Sequence, residues 1–209
     1  KGILNVTTTP TAIAATYGHV SLLKYLISHN GKVDVFCCRG AASNGHVDCI
    51  QYIRESASGT STSTSTSTST STTTIPPLDA FCVRYAAANG HLSVLKYLHE
   101  KCTPPCPWTS EAATQASAHG HLDCLSYLID HDCPCMDDAA TAAVLNNQLA
   151  SLQILHNNNI KMNKFIAHFA AEAGSLDCLK FLIHSGYYCD SRACRNASEN
   201  GNLSCFNLR

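Results

Sequence analysis

Thirteen cysteines and eleven histidines are the residues of this 209-residue chain best suited to chemistry. Thiolates and imidazoles ligate zinc, and thiols pair as disulfides. Cys102-x3-Cys106 and Cys133-Pro-Cys135 fall in successive loops, with Cys189 and Cys194 in a later one. Four thiolates there could converge on one zinc ion, but no matching His pair supports the site. The odd cysteine count argues against a closed disulfide framework and for an intracellular, cytoplasmic chain. Cys49, Cys124, Cys178 and Cys205 occupy one register position that elsewhere holds Leu22 and Val94. A thiol that alternates with Leu and Val is a small buried hydrophobe. No Gly-rich phosphate loop, nucleophile elbow or helix-borne His-Glu-x-x-His is present, and the acids are scattered over outer helical positions. No catalytic residue, metal or cofactor is therefore expected, and the chain reads as a non-enzyme.

The cysteines belong to a repeat that must position them. Ala14, Ala41, Ala86, Ala116, Ala143, Ala170 and Ala197 each stand four residues before Gly18, Gly45, Gly90, Gly120, Asn147, Gly174 and Gly201. Apolar residues follow each turn at two and five positions further on, and at eight in all but the last, where Arg209 stands. A unit this short cannot bury its apolar side alone, so neighbours must stack. The second segment has helical spacing, as in Leu122, Leu125, Leu128 and Ile129. The first segment is Ala-rich, which favours helix and close approach. The spacing predicts a helix, a one-residue break with positive φ, and an antiparallel helix. Thr7, Asp34, Asp79, Thr109, Asn163 and Asp190 stand eleven residues before the turns, as N-caps of the first helices; Met136 breaks that series. His19, His46, His91 and His121 follow the turn directly, where later units have Gln148, Ser175 and Asn202. These residues read as polar fixings of the turn. Trp108 and Tyr25, Tyr52, Tyr97 and Tyr127 read as packing residues.

Ala86-Ala87-Ala88-Asn89-Gly90-His91-Leu92 and Ala116-Ser117-Ala118-His119-Gly120-His121-Leu122 resemble the Ala-Ala-x-x-Gly-His-Leu core of the ankyrin repeat. Leu95-Lys96-Tyr97-Leu98 resembles the Leu-rich second helix that follows it. The usual Thr-Pro-Leu-His opening is absent. The period of about 27 residues is similar to short ankyrin-like units of the protist type, and it leaves little room for projecting β-hairpin fingers. The resemblance implies an all-α, ankyrin-like helical solenoid of stacked antiparallel helix pairs. It also implies a non-catalytic scaffold or adaptor that binds a protein partner along the concave side built by first helices. There the two residues before each turn would face the groove: Thr16 and Tyr17, Ser43 and Asn44, Ala88 and Asn89, Ala118 and His119, Leu145 and Asn146, Glu172 and Ala173, Glu199 and Asn200. The alternative is a metal- or redox-responsive module using the loop cysteines.

Composition narrows the partners. With 14 basic and 15 acidic residues and a net charge of −1, the chain lacks the electrostatic footprint of a nucleic-acid binder. No apolar run is long enough for a membrane span. A monomer is expected. The array reads as residues 1–55, with a truncated preceding unit at 1–6, and residues 75–209, with a truncated last unit. Residues 56–74 are nearly pure Ser/Thr and read as a disordered low-complexity insertion. Phosphate or sugar attachment is the functional alternative for that tract. Of three matches to the Asn-x-Ser/Thr glycosylation pattern, at Asn5, Asn196 and Asn202, the last two lie in predicted helices and read as coincidental.

Overall fold

In the computed structural model of the chain, residues 9–58, 78–102, 105–134, 137–189 and 191–202 are described. Thr7, the Ser/Thr tract from residue 59 onward, Cys135, Met136, Asp190 and Cys205 lie outside the described residues, as does the unit expected at 1–6. Within the described residues, one compact unit draws on Lys1–Ala86 with Ser93–Pro107. The other draws on Ala87–Leu92 with Trp108–Arg209.

The helices come in pairs. They are α1 Pro10–Thr16 with α2 Val20–Ser28, α3 Val35–Ser43 with α4 Val47–Ser58, and α5 Ala80–Ala88 with α6 Leu92–Lys96. Then follow α7 Ser110–His119 with α8 Leu122–Asp130, and α9 Asp137–Leu145 with α10 Leu149–Asn157. The last are α11 Ile166–Ala173 with α12 Leu176–His184, and α13 Ser191–Glu199. No strand occurs among the described residues. Nor is any described helix long and apolar enough to cross a membrane. In the first unit α1 packs on α3 and α2 on α4. In the second, α7, α9, α11 and α13 pack in succession, as do α8, α10 and α12. Each unit is thus a stretch of all-α solenoid.

The seven recurrent alanines are all at 0% exposure. The apolar residue five after each turn is also sealed: Leu23, Ile50, Leu95, Leu125, Leu152 and Leu179 are at most 1% exposed. Each such side chain contributes about 1.5–3 kcal/mol of burial. First helices approach closely because each places a buried alanine four residues before the turn, with a second small residue (Ala15, Ala42, Ala87, Ser117 or Ala171) beside it in most repeats. Ala116→Leu therefore overpacks the α7–α9 contact and destabilises by about 1–3 kcal/mol. Thermal melting of the variant checks this, and an unchanged melting temperature would refute the placement.

All seven turn residues have positive φ, from 53° at Asn147 to 80° at Gly45. The stop is a Schellman motif. The amide after the turn residue reaches back to the carbonyl of the recurrent alanine, as in His19 N to Ala14 O at 2.9 Å and Gln148 N to Ala143 O at 2.8 Å. That amide belongs to the N-cap of the second helix, so the break spans two or three residues and not one. Tyr17, Gly18 and His19 separate α1 from α2.

A second stop recurs that the sequence reading did not identify. Asn30, Asp132, Asn159 and Gly186, each twelve residues after a turn, also have positive φ. The next amide again closes the motif, from Gly31 N to Leu26 O at 2.8 Å through Tyr187 N to Leu182 O at 3.0 Å. The third pair has Cys102 at this position, and its helix instead winds through a π-helical turn at Tyr97–Lys101. That is the unit whose spacing runs three residues long.

Two boundaries differ from expectation. The first helix is capped by Thr9, whose hydroxyl accepts from Ala12 N at 3.3 Å. Pro10 fixes this. It disfavours helical backbone at the preceding residue and suits the first helical position. The tract assigned from residue 56 begins in helix, because α4 runs to Ser58 and the Ser56 hydroxyl donates to Ile53 O at 2.9 Å. The remaining caps vary. Asp34 accepts from Phe36 N and Cys37 N, Thr109 makes no side-chain cap bond, and Asn163 closes a turn two residues ahead of α11 by accepting from Phe165 N.

Candidate functional site

The residues before each turn lie at the C-terminal ends of first helices. Tyr17 is 68% exposed and Leu145 53%. Asn44, Asn89, His119, Asn146, Glu172, Ala173, Glu199 and Asn200 are exposed, while Thr16, Ser43, Ala88 and Ala118 are half-buried. Several of them serve their own helix. The Asn44 amide donates to Gly40 O at 3.2 Å and Asn146 to Ala142 O at 2.9 Å. His119 Nδ1 lies 2.9 Å from Gln115 O. These bonds satisfy carbonyls left open where a helix stops. Recurrent Asn and His at this position thus have a capping role beside any contact they make with a partner.

In three repeats the polar residue just after the turn, His121, Ser175 or Asn202, reaches across to the preceding repeat. His121 Nε2 lies 3.0 Å from Ala88 O, and Ser175 Oγ donates to Val144 O at 2.6 Å. Asn202 Nδ2 donates to Glu172 O at 2.8 Å and to Ala171 O at 3.2 Å. The turn-fixing role of this position is therefore one that couples neighbours. It is a bond between units, not a bond within one turn.

Five, six and nine residues before each turn, further side chains share the exposed stripe of the first helix. In the first unit these include Ile13, Phe36, Arg39, Phe81, Arg84 and Tyr85. The Arg39 guanidinium sits over the Phe81 ring at 4.4 Å and the Phe36 ring at 5.6 Å. Its Nε donates to Asp79 Oδ2 at 3.0 Å, forming an ion pair that raises its pKa further. Arg84 lies 5.9 Å from the centroids of both Phe81 and Tyr85. The sequence reading passed over these residues because it followed the frame, although the positions nine and six before the turn also carry Phe165 and His168 on α11 and Arg192 and Arg195 on α13. In the second unit the corresponding positions on α7 and α9 carry Glu111, Thr114, Gln115, Asp138, Thr141 and Ala142.

The cysteines are buried. Cys49, Cys124 and Cys178 are at most 1% exposed, in register with Val94 at 0%. Leu22 departs from this register at 46% exposure. The preceding second helix covers that position in α4, α10 and α12, and no described helix precedes α1. Tyr25, expected to pack, is likewise 57% exposed and lies against His29, with centroids 4.1 Å apart. Ser151 holds the same register position as the buried thiols, and its hydroxyl has no hydrogen-bond partner.

The loop thiols close their own units. Cys106 Sγ donates to Asp79 O at 3.1 Å and Cys133 Sγ to Thr109 O at 3.5 Å. Burial pushes the thiols of Cys38 and Cys106 up to about 12, and those of Cys124 and Cys178 up to about 11. It raises Cys82 and Cys102 as well. Thiolate, the form that ligates metal and attacks electrophiles, is thereby disfavoured at neutral pH. Among the described residues no three His, Cys, Asp or Glu side chains gather to hold a metal ion. Trp108, half-buried, packs near Tyr127 and His131, with centroids at 6.1 and 6.3 Å.

A family model for ankyrin repeats, in three copies, matches residues 83–193. No curated protein matches the chain significantly. Among solved structures, the crystal structure of the human ASB11 ankyrin repeat domain is similar, with a TM-score of 0.67 and 16% identity. The match covers 97% of this chain and 99% of that one. With the family model spanning more than half of its length, the chain belongs to the ankyrin repeat family.

Proposed function

We propose that the chain is a non-catalytic protein-binding module that captures its partner along the exposed stripe of its first helices. The observation that carries this reading is the contrast between frame and stripe. Alanines, turn residues and second-helix leucines repeat from unit to unit, while the residues two before each turn change from Thr16 to Ser43, Ala88, Leu145 and Glu172. A constant scaffold then presents a set of side chains that changes along the stripe. Buried, unoxidised thiols fit an intracellular, cytoplasmic setting, and the near-zero net charge fits a protein partner better than nucleic acid.

Tyr17→Ala combined with Glu172→Ala and Glu199→Ala should abolish partner capture while changing stability by less than about 0.5 kcal/mol at each site. Affinity capture with wild-type and variant chains, beside urea titrations of both, checks this. Unchanged capture by a folded triple variant would refute the placement of the binding stripe.

A further inference from the structure

In the second unit the residue just before the turn forms a row across α7, α9, α11 and α13. It is His119, Asn146, Ala173 and Asn200 in turn. His119 and Asn146 are exposed, and each ties one nitrogen to the carbonyl four residues back, at 2.9 Å. A carbonyl only accepts, so His119 Nδ1 carries the proton and Nε2 of the neutral ring is left to accept. A primary amide has two hydrogens and an oxygen, so Asn146 keeps a donor and an acceptor beyond its cap bond. Asn200, also exposed, keeps the same pair after one bond to Glu172 O at 3.3 Å. Ala173 leaves its step without a polar side chain. The tethered side chains have little rotamer freedom left to lose on binding. Mixed donors and acceptors of this kind complement a peptide main chain, which carries both.

Spacing then selects the form of that main chain. Packed helices stand about 8–10 Å apart. A polyproline II segment has three residues per turn at about 3.1 Å each, so it presents one side about every 9 Å. A β-strand repeats its side about every 6.6 Å and an α-helix about every 5.4 Å, and neither keeps step with the row. Polyproline II also has no internal hydrogen bonds, so its carbonyls and amides are open to these side chains.

We infer that the second unit binds an extended peptide segment in the polyproline II conformation, whose main chain follows the row and meets successive repeats at every third residue. From His119 to Asn200 the row spans three steps, or about nine residues of such a segment. The inference rests on the reading of the first-helix stripe as the binding side, and it names the backbone form of the partner there.

The test is selection on the whole chain from a phage-displayed library of random fifteen-residue peptides. Fluorescence anisotropy of a labelled, selected peptide follows. Selected sequences should be rich in proline and should agree at every third position. Asn146→Ala should weaken the selected peptide about fivefold or more. Asn158→Ala is the matched control. Its amide donates to Ile154 O at 2.9 Å in the same kind of cap bond, but at the end of a second helix, α10. That variant should keep full affinity. If Asn146→Ala fails to fold, Asn200→Ala reads the same row. Agreement at every second residue, agreement at helical spacing, or no enrichment would overturn the assignment. Full affinity in Asn146→Ala, or an equal loss in Asn158→Ala, would overturn it too. If the Tyr17, Glu172 and Glu199 variant loses its cellular partner while selected peptides lack the three-residue period, only the polyproline II assignment fails. If that variant keeps its partner and Asn146→Ala keeps full affinity, the binding stripe itself is misplaced.

Discussion

Gly90→Ala is expected to lower stability by about 2–3 kcal/mol, the sum of two separable costs. The first is conformational. Gly90 has φ +75°, where a Cβ meets the adjacent carbonyl and costs about 1–2 kcal/mol. The second is a displaced neighbour. A Cβ on Gly90 would lie 2.6 Å from His121 Nδ1, and that ring is held by its 3.0 Å bond to Ala88 O. Moving the ring away forfeits a hydrogen bond worth about 1 kcal/mol. Gly186 supplies the control. Its φ is +85°, but a Cβ there meets nothing within 4 Å. Gly186→Ala should therefore cost only the conformational part. Urea unfolding of both variants, followed by circular dichroism and by the fluorescence of the single tryptophan, measures the difference. Equal losses would mean that the histidine moves freely and does not couple the units.

This coupling shows where the sequence was legible and where it was not. The first-helix stop could be read because it demands one rare backbone conformation. Only Gly, or Asn at 147, fills it, so the register was plain. The recurrent alanines were equally plain, since close helix approach admits little else. The second stop was missed because Asn30, Asp132, Asn159 and Gly186 are chemically mixed, and the third unit replaces it with a π-helical turn. Thr9 displaced Thr7 as the first cap because Pro10 outweighed register. Leu22 was misjudged because register says which face a residue occupies, while burial also needs a neighbour to cover it. The binding stripe was only partly visible. A repeat pattern directs attention to the frame, whereas Phe36 and Arg39 return as Phe81 and Arg84 in the next repeat and give way to Glu111 and Thr114 in the one after. Their chemistry emerged only once α3 and α5 brought Arg39, Asp79 and Phe81 together from positions 40 or more residues apart in sequence.

The buried thiols set the second large effect, a steep loss of stability at alkaline pH. In the unfolded chain a cysteine titrates near about 8.5. In the folded chain burial holds Cys38 and Cys106 at about 12, and Cys124 and Cys178 at about 11. The folded pKa is the higher one, so the stabilising difference is present in full below the unfolded value. It is lost as pH rises through the window between the two. Over that window each thiol lowers stability by roughly 1.4 kcal/mol per pH unit, which amounts to about 2 kcal/mol by about pH 10. Two such thiols would remove about 4 kcal/mol, close to the whole stability of a marginal domain. Urea midpoints measured under reducing conditions from about pH 7 to about pH 10 should therefore fall sharply in the upper half of that range. Cys124→Val tests the cause, because the third unit already carries Val94 at the same buried position. That variant should match the wild type near neutrality and lose about 2 kcal/mol less by about pH 10. The same burial should leave the thiols unreactive toward iodoacetamide at neutral pH until urea opens the chain. A flat midpoint across the alkaline range, or ready alkylation of the folded chain at Cys38 or Cys124, would show that these thiols are reachable as thiolates. The loop cysteines would then regain their standing as candidates for a redox or metal role.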